Sequence, residues 1–96
     1  MIRHVIVFNA EAPYAEVLAM AEQARTVLGA IEGVTEVRFG VAVAESARYR
    51  YFFDIGFVDE ATIDYYMNHP AHVAFATQVF RPMAPDRITT DYRVEV

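Results

Sequence analysis

Between Glu36 and Val58 the chain alternates its apolar side chains twice over, and this pattern limits the fold more than any other feature of the sequence. Val37, Phe39, Val41 and Val43 fall on one side of an extended chain, opposite Glu36, Arg38, Gly40 and Ala42. After a turn of small and polar residues, Ala44 to Ala47, Tyr49, Tyr51, Phe53, Ile55 and Phe57 share one side. Arg50, Phe52, Asp54, Gly56 and Val58 take the other. A period of two belongs to a strand, because successive Cβ atoms point to opposite faces of a sheet. The two runs therefore predict a hairpin, with strands long for a small domain and with apolar faces suited to covering a neighbour.

The flanking segments supply the other elements. Ile2 to Phe8 is β-branched and aromatic and predicts a central strand, with Ile2, His4, Ile6 and Phe8 on one face and Arg3, Val5 and Val7 on the other. Pro13 suits the first position of a helix. Behind it Val17, Met20, Ala21, Ala24, Val27, Leu28 and Ile31 recur at steps of three and four, and Gly29 is a natural stop. Asp59 can cap a second helix carrying Ile63, Tyr66 and Met67 on one face. Asn68-His69-Pro70 interrupts that helix, since a residue before proline is pushed out of the α region. Pro70 opens a third helix with Val73, Ala76, Val79 and Phe80 inward, ended by Arg81-Pro82 and Pro85. Arg87 to Val96 alternates again and predicts a fourth strand.

The order β-α-β-β-α(α)-β, with right-handed crossovers, gives an α+β, ferredoxin-like (split βαβ) domain over residues 1–96, with strand order 4-1-3-2 and both helical layers on one face. Composition matters at this point. A chain of 96 residues buries only roughly 60–65% of the surface its unfolded form exposes. Yet 55% of its residues are hydrophobic, above the common level. A bare, partly apolar sheet face then calls for a second copy, and two such sheets meeting face to face make a dimeric α+β barrel.

The same composition removes several classes of function. With no cysteine there are no disulfides and no thiolate chemistry. A net charge of −5 argues against nucleic acid as a partner. Lysine is absent, so no side-chain Schiff base can form. The opening residues are too short and too interrupted for a signal peptide or a membrane span, which points to a soluble, cytoplasmic protein. No cofactor motif is present, so none is expected.

One local cluster is equipped for chemistry. In Tyr66-Met67-Asn68-His69-Pro70-Ala71-His72 the proline fixes a turn, Tyr66 hangs from the last turn of one helix and His72 sits on the first turn of the next. Imidazole suits proton transfer near neutral pH, and a phenol can donate a hydrogen bond to a carbonyl oxygen. His4 stands in the middle of an apolar strand face, where it must find a buried partner or line a cavity. Each has a plainer reading: His69 as a helix cap, Tyr66 as a core aromatic, and His72 as a structural histidine. The three histidines fit no standard metal spacing. Asp91 reads as structural, paired with Arg93 or with a cation across the sheet.

These residues also carry a family resemblance. Ile2-Arg3-His4-Val5-Ile6-Val7-Phe8, the hairpin closing on Phe57, Tyr66, His69-Pro70-Ala71-His72-Val73 and Asp91-Tyr92 together resemble the stress-responsive dimeric A/B barrel (Dabb) family, nearly end to end. The resemblance implies a ferredoxin-like protomer in a homodimeric barrel. In one relative, the plant olivetolic acid cyclase, a catalytic Tyr and His are similar to Tyr66 and His72, and a further pocket histidine to His4. Carried over, that pattern makes His72 a general base and Tyr66 an oxyanion donor, acting without a cofactor on a small apolar or aromatic carbonyl compound. Bulky Phe53 and Met67 reshape the substrate pocket relative to that enzyme. The alternative is a non-catalytic homodimer that binds a small molecule or serves in a stress response.

Overall fold

The computed structural model describes residues 1–96. Its strands are β1 (Ile2–Phe8), β2 (Val34–Val41), β3 (Tyr51–Phe57) and β4 (Arg87–Arg93). Its helices are α1 (Tyr14–Gly29), α2 (Ala61–Asn68) and α3 (Pro70–Phe75), the last running through a π-helical segment (Ala76–Phe80) into α4 (Arg81–Met83). The sheet is antiparallel throughout, in the order β2-β3-β1-β4, which is the expected 4-1-3-2 read from the other edge. No helix is long and apolar enough to cross a membrane.

Registers confirm the faces assigned by alternation. His4 lies opposite Ile55 on β3 and opposite Asp91 on β4, and Val37 lies opposite Ile55 on the hairpin. Ile2, Phe8, Phe53, Ile55 and Phe57 are buried beneath the helices with Val17, Met20, Ala24 and Leu28 of α1. Phe8 is the hub of this core: its ring meets Phe80 edge-on at 5.1 Å and stacks on Phe53 at 5.5 Å. Burying a phenylalanine side chain is worth about 1.5–3 kcal/mol, and aromatic pairing adds about 0.5–1.5 kcal/mol. This aromatic floor fixes where the helices sit above the sheet.

The β2–β3 turn spans residues 42–50 rather than the expected 44–47, and three further boundaries differ for local reasons. β4 ends at Arg93, the residue in register with Ile2 at the start of β1; Val94 N–H still reaches the Met1 carbonyl at 3.1 Å. Pro13 precedes α1 as its N-cap (φ −59°, ψ 151°), and its carbonyl accepts from Glu16 N–H at 3.0 Å. The helix after Pro70 is not uniform: Pro82 has no N–H and its ring crowds the carbonyl four residues back, and the helix widens to π geometry just before it. Elsewhere the capping chemistry is as expected. The Asp59 carboxylate accepts from Thr62 N–H at 3.1 Å. Gly33 turns the chain into β2 at φ +92°, where a Cβ would stand 2.7 Å from Thr62.

The sheet face away from the helices carries Val5, Val7, Phe52, Ile88 and Tyr92, but it is not uniformly apolar. Arg3 crosses it, donating from Nε to Asp54 at 2.8 Å and from Nη1 to Glu36 at 2.7 Å.

Candidate functional site

The break at Pro70 builds the site. His69 is extended (φ −66°, ψ 133°), as a residue before proline must be, and its Nδ1 accepts from Ala71 N–H at 3.1 Å. It is the N-cap of α3, and its ring lies edge-on to Tyr65 at 5.6 Å rather than against Tyr66 or His4. The turn stacks the last residues of α2 against the first of α3. The Tyr66 and His72 rings thereby come to 4.4 Å between centroids. His4 reaches up from β1 into the same layer, 5.5 Å from the Tyr66 ring, while Phe57 stacks beneath it at 5.4 Å. The structure thus brings His4, Tyr66 and His72 together on the helix side of the sheet, and all three are buried.

Hydrogen bonds set the tautomers. His72 Nδ1 lies 3.2 Å from the Met67 carbonyl, which can only accept, so Nδ1 carries the proton and Nε2 holds a free lone pair. His4 Nδ1 lies 2.6 Å from Asp91 Oδ1, and the carboxylate likewise holds the proton on Nδ1 and leaves Nε2 unbonded. No protein group bonds the Tyr66 hydroxyl. The one fully buried side-chain nitrogen or oxygen without a partner is Arg3 Nη2, so the Tyr66 oxygen keeps contact with solvent although its ring is enclosed.

The electrostatics follow from burial. Removal from water pushes the Tyr66 phenol well above its ordinary range, and the nearby charge of Asp91 pushes it further the same way. Tyr66 is therefore a hydrogen-bond donor at any physiological pH. Burial pushes His72 below the ordinary imidazole value; the Met67 carbonyl opposes this, while the fields of His4, Arg81 and His69 reinforce it. At neutral pH His72 is an uncharged base.

Two spaces that share His72, Ala76 and Phe80 as lining adjoin the cluster. An open cleft of about 260 Å³ has His4, Ile6 and Thr89 as its floor and Met67, His72, Ala76 and Phe80 as its wall, with Arg81 and Arg87 at the rim. Behind His72 lies an apolar recess of about 20 Å³, bounded by Phe53, Ile55 and Tyr66 among others, with room for about one water by volume. Larger concavities of about 460 and 480 Å³ lie along α1 and β2 and beside Gly33 and Tyr65, but neither contains a histidine. The cleft is somewhat below the roughly 300–1,000 Å³ usual for drug-sized ligands, and suits a smaller one. The π-helical segment contributes its Ala76 and Phe80 to both spaces, so the irregularity caused by Pro82 also shapes the pocket.

Met67 and Phe53 therefore line the cleft and the recess respectively. Asp91 takes a partner across the sheet rather than Arg93: it is bound to His4 and so adjoins the cluster. Its cross-strand partner follows from the β1–β4 register, which the sequence alone does not display. Nothing local in the sequence sets Arg81 and Arg87, at the rim of the cleft, apart from the other arginines. No three His, Asp or Glu side chains gather closely enough to hold a metal ion.

A four-stranded antiparallel sheet in this order, with helices on one face and a histidine–tyrosine cluster between the layers, defines a ferredoxin-like α+β domain. The chain belongs to the Dabb family, the stress responsive A/B barrel domain, whose model matches residues 2–94. A Dabb family protein from Mesorhizobium loti superposes with a TM-score of 0.87 at 29% identity, covering 99% of this chain and 97% of that one. A dimeric ferredoxin-like protein of unknown function from Thermobifida fusca gives a TM-score of 0.80 at 22% identity, covering 97% and 90%. Two enzymes share the fold. The hydroxynitrile lyase of Passiflora edulis has a TM-score of 0.84 at 12% identity, covering 98% and 93%. A cofactor-independent oxygenase of Streptomyces nogalater has a TM-score of 0.78 at 14% identity, covering 99% and 93%. No curated protein matches the chain by sequence.

Proposed function

We propose that this Dabb domain is a cofactor-independent acid–base catalyst acting on a small, largely apolar carbonyl compound. One observation carries the reading: a neutral His72 with an unbonded Nε2 lines an open cleft, and its ring lies 4.4 Å from that of Tyr66, whose hydroxyl has no protein partner. In this reading His72 removes a proton from the carbon next to the carbonyl. Tyr66 donates a hydrogen bond to the carbonyl oxygen as it becomes an enolate, and His4, oriented by Asp91, offers its unbonded Nε2 as a second proton acceptor. The enolate is then reprotonated at another carbon by the His72 imidazolium, an isomerisation, or attacks a second carbonyl whose alkoxide takes that proton, a cyclisation. A positioned base contributes about 10²–10⁴-fold and an oxyanion donor about 10²–10³-fold, enough for a working enzyme on an already acidic carbon. That the same scaffold carries a lyase and an oxygenase supports catalysis on it.

The working unit in this proposal is a homodimer. The exposed Phe52, Ile88 and Tyr92 on the sheet face opposite the helices favour a second sheet as their cover, and the Thermobifida fusca protein is dimeric. The cleft lies on the helix side, so this packing leaves it open.

The test is deuterium exchange at the α-carbon of aryl β-diketones in heavy water, followed by NMR. Acceleration over buffer that disappears in His72→Ala and falls in Tyr66→Phe is expected. Exchange no faster than in buffer across the compound series would sink the catalytic reading and leave a small-molecule-binding protein.

A further inference from the structure

We propose that the cleft is built for a carboxylate-bearing ligand, a keto acid whose carboxylate sits between Arg81 and Arg87 while its carbonyl end points toward Tyr66 and His72. The carbonyl orientation rests on the acid–base reading above; the carboxylate anchor does not.

All eight Lys-plus-Arg positions are arginines, against thirteen acidic residues, so most guanidinium groups should find a carboxylate. Arg3, Arg38, Arg48 and Arg93 do. Arg50 is held by the carbonyls of Ala42 and Ala44. Arg25 lies in a different groove, beside Glu22. Arg81 and Arg87 are the two that share a cavity without an acidic partner, and no Asp or Glu lines that cavity.

Geometry favours a planar anion. Arg87 is on the helix-facing side of β4, in register with Phe8, and its Nη1 donates to the Ala84 carbonyl at 3.0 Å. That bond holds the group at the rim while its other donors stay free. Arg81 follows directly on the π-helical segment, its backbone N–H bonded to the Ala76 carbonyl, while its guanidinium makes no protein hydrogen bond or ion pair. A guanidinium presents donors in a fork that matches a carboxylate, and a cleft with low-dielectric walls concentrates the field of its charges. Past the rim the wall turns apolar at Phe80 and Ala76, which suits the hydrocarbon body of a keto acid. A cleft of about 260 Å³ is too small for a nucleotide or a polymer.

The arrangement has a built-in signature. The positive field of Arg81 is one of the influences holding His72 below its ordinary value, with burial first and the fields of His4 and His69 alongside. An anion seated on Arg81 offsets that field, so its binding raises the His72 pKa. A neutral ligand in the same place does not.

The experiment uses the full chain, with 4-oxo-4-phenylbutanoate and its neutral amide as probes, and follows the histidine ring signals by NMR. The acid should bind roughly tenfold tighter than the amide or better, about 1.4 kcal/mol. Only the acid should move the His72 titration upward. Arg81→Gln, at an exposed position with no bond to lose, should abolish both differences, and Arg87→Lys should weaken them while keeping the charge. His72→Ala should keep the preference for the acid. If His72→Ala removes exchange but Arg81→Gln leaves the preference intact, the anchor is wrong and the chemistry stands. If the preference follows Arg81 while no variant alters exchange, the anchor stands and the catalyst is wrong. Equal binding of acid and amide, or no binding of either up to the solubility limit, overturns the proposal.

Discussion

His4 and Asp91 face each other across the β1–β4 ladder, and the imidazole Nδ1 lies 2.6 Å from the carboxylate oxygen. The pair joins a buried ring to a carboxylate that is still partly open to water, so the aspartate fixes the histidine without itself being desolvated. Removing the carboxylate leaves a buried N–H with no acceptor. Asp91→Ala is expected to cost about 1–3 kcal/mol in urea unfolding, the penalty of an unsatisfied buried donor. His4→Phe with Asp91→Ala should recover part of that loss, because the polar group has gone as well. An additive double variant would show that the pair is not coupled.

Tyr66 separates structural from chemical roles. Its ring packs against Phe57 at 4.8 Å and His72 at 4.4 Å, but its hydroxyl has no protein partner to lose. Tyr66→Phe should therefore change stability by less than about 0.5 kcal/mol while lowering any carbonyl-directed turnover by about 10²–10³-fold. A large loss of stability would show that the hydroxyl serves the fold instead.

His72 gives the pH dependence. Its folded pKa is depressed, chiefly by burial, below the ordinary value of 6.5. Below about pH 6.5 the unfolded chain takes up this proton while the folded chain resists it, so the unfolded state binds more protons and stability falls as the pH is lowered. The contribution of His72 is fully present above the unfolded pKa and is lost as pH drops through the folded one. Urea midpoints measured across that window should fall more steeply for the wild type than for His72→Gln. The acid limb of α-proton exchange should likewise lie below the ordinary imidazole range.

Much of the fold was legible because alternation survives in sequence. Period-two runs gave the strands and their faces, and right-handed crossovers gave the strand order. His69 and Pro70 announced the turn, and His69 does cap the helix after it. The convergence of Tyr66 and His72 followed from that same break. What stayed hidden depends on non-local pairing. Asp91 enters the cluster only because antiparallel register sets it opposite His4, some ninety residues away along the chain. Arg3 looked like one polar residue on an apolar face until its partners on β2 and β3 were placed. The π-helical segment arises from how Pro82 is accommodated in a helix already docked on the core, a tertiary matter that periodicity does not encode.

The exposed sheet face makes the last prediction. Phe52 lies flat over Gly40, where a Cβ would stand 2.0 Å from its ring, so the absent side chain leaves the phenyl spread along the sheet. Val7 and Ile88 are paired across the β1–β4 ladder on the same face. A carboxylate here would have to be buried between two sheets in a dimer, but would remain in water in a monomer, since Phe52 is already more than a third exposed in the single chain. Phe52→Asp should therefore leave the protomer folded by circular dichroism and shift sedimentation from dimer to monomer. Binding at the helix-side cleft should persist, because none of its lining residues lies on this face. A variant that still sediments as a dimer would place the interface elsewhere, and a wild type that sediments as a monomer would remove the barrel from the proposal.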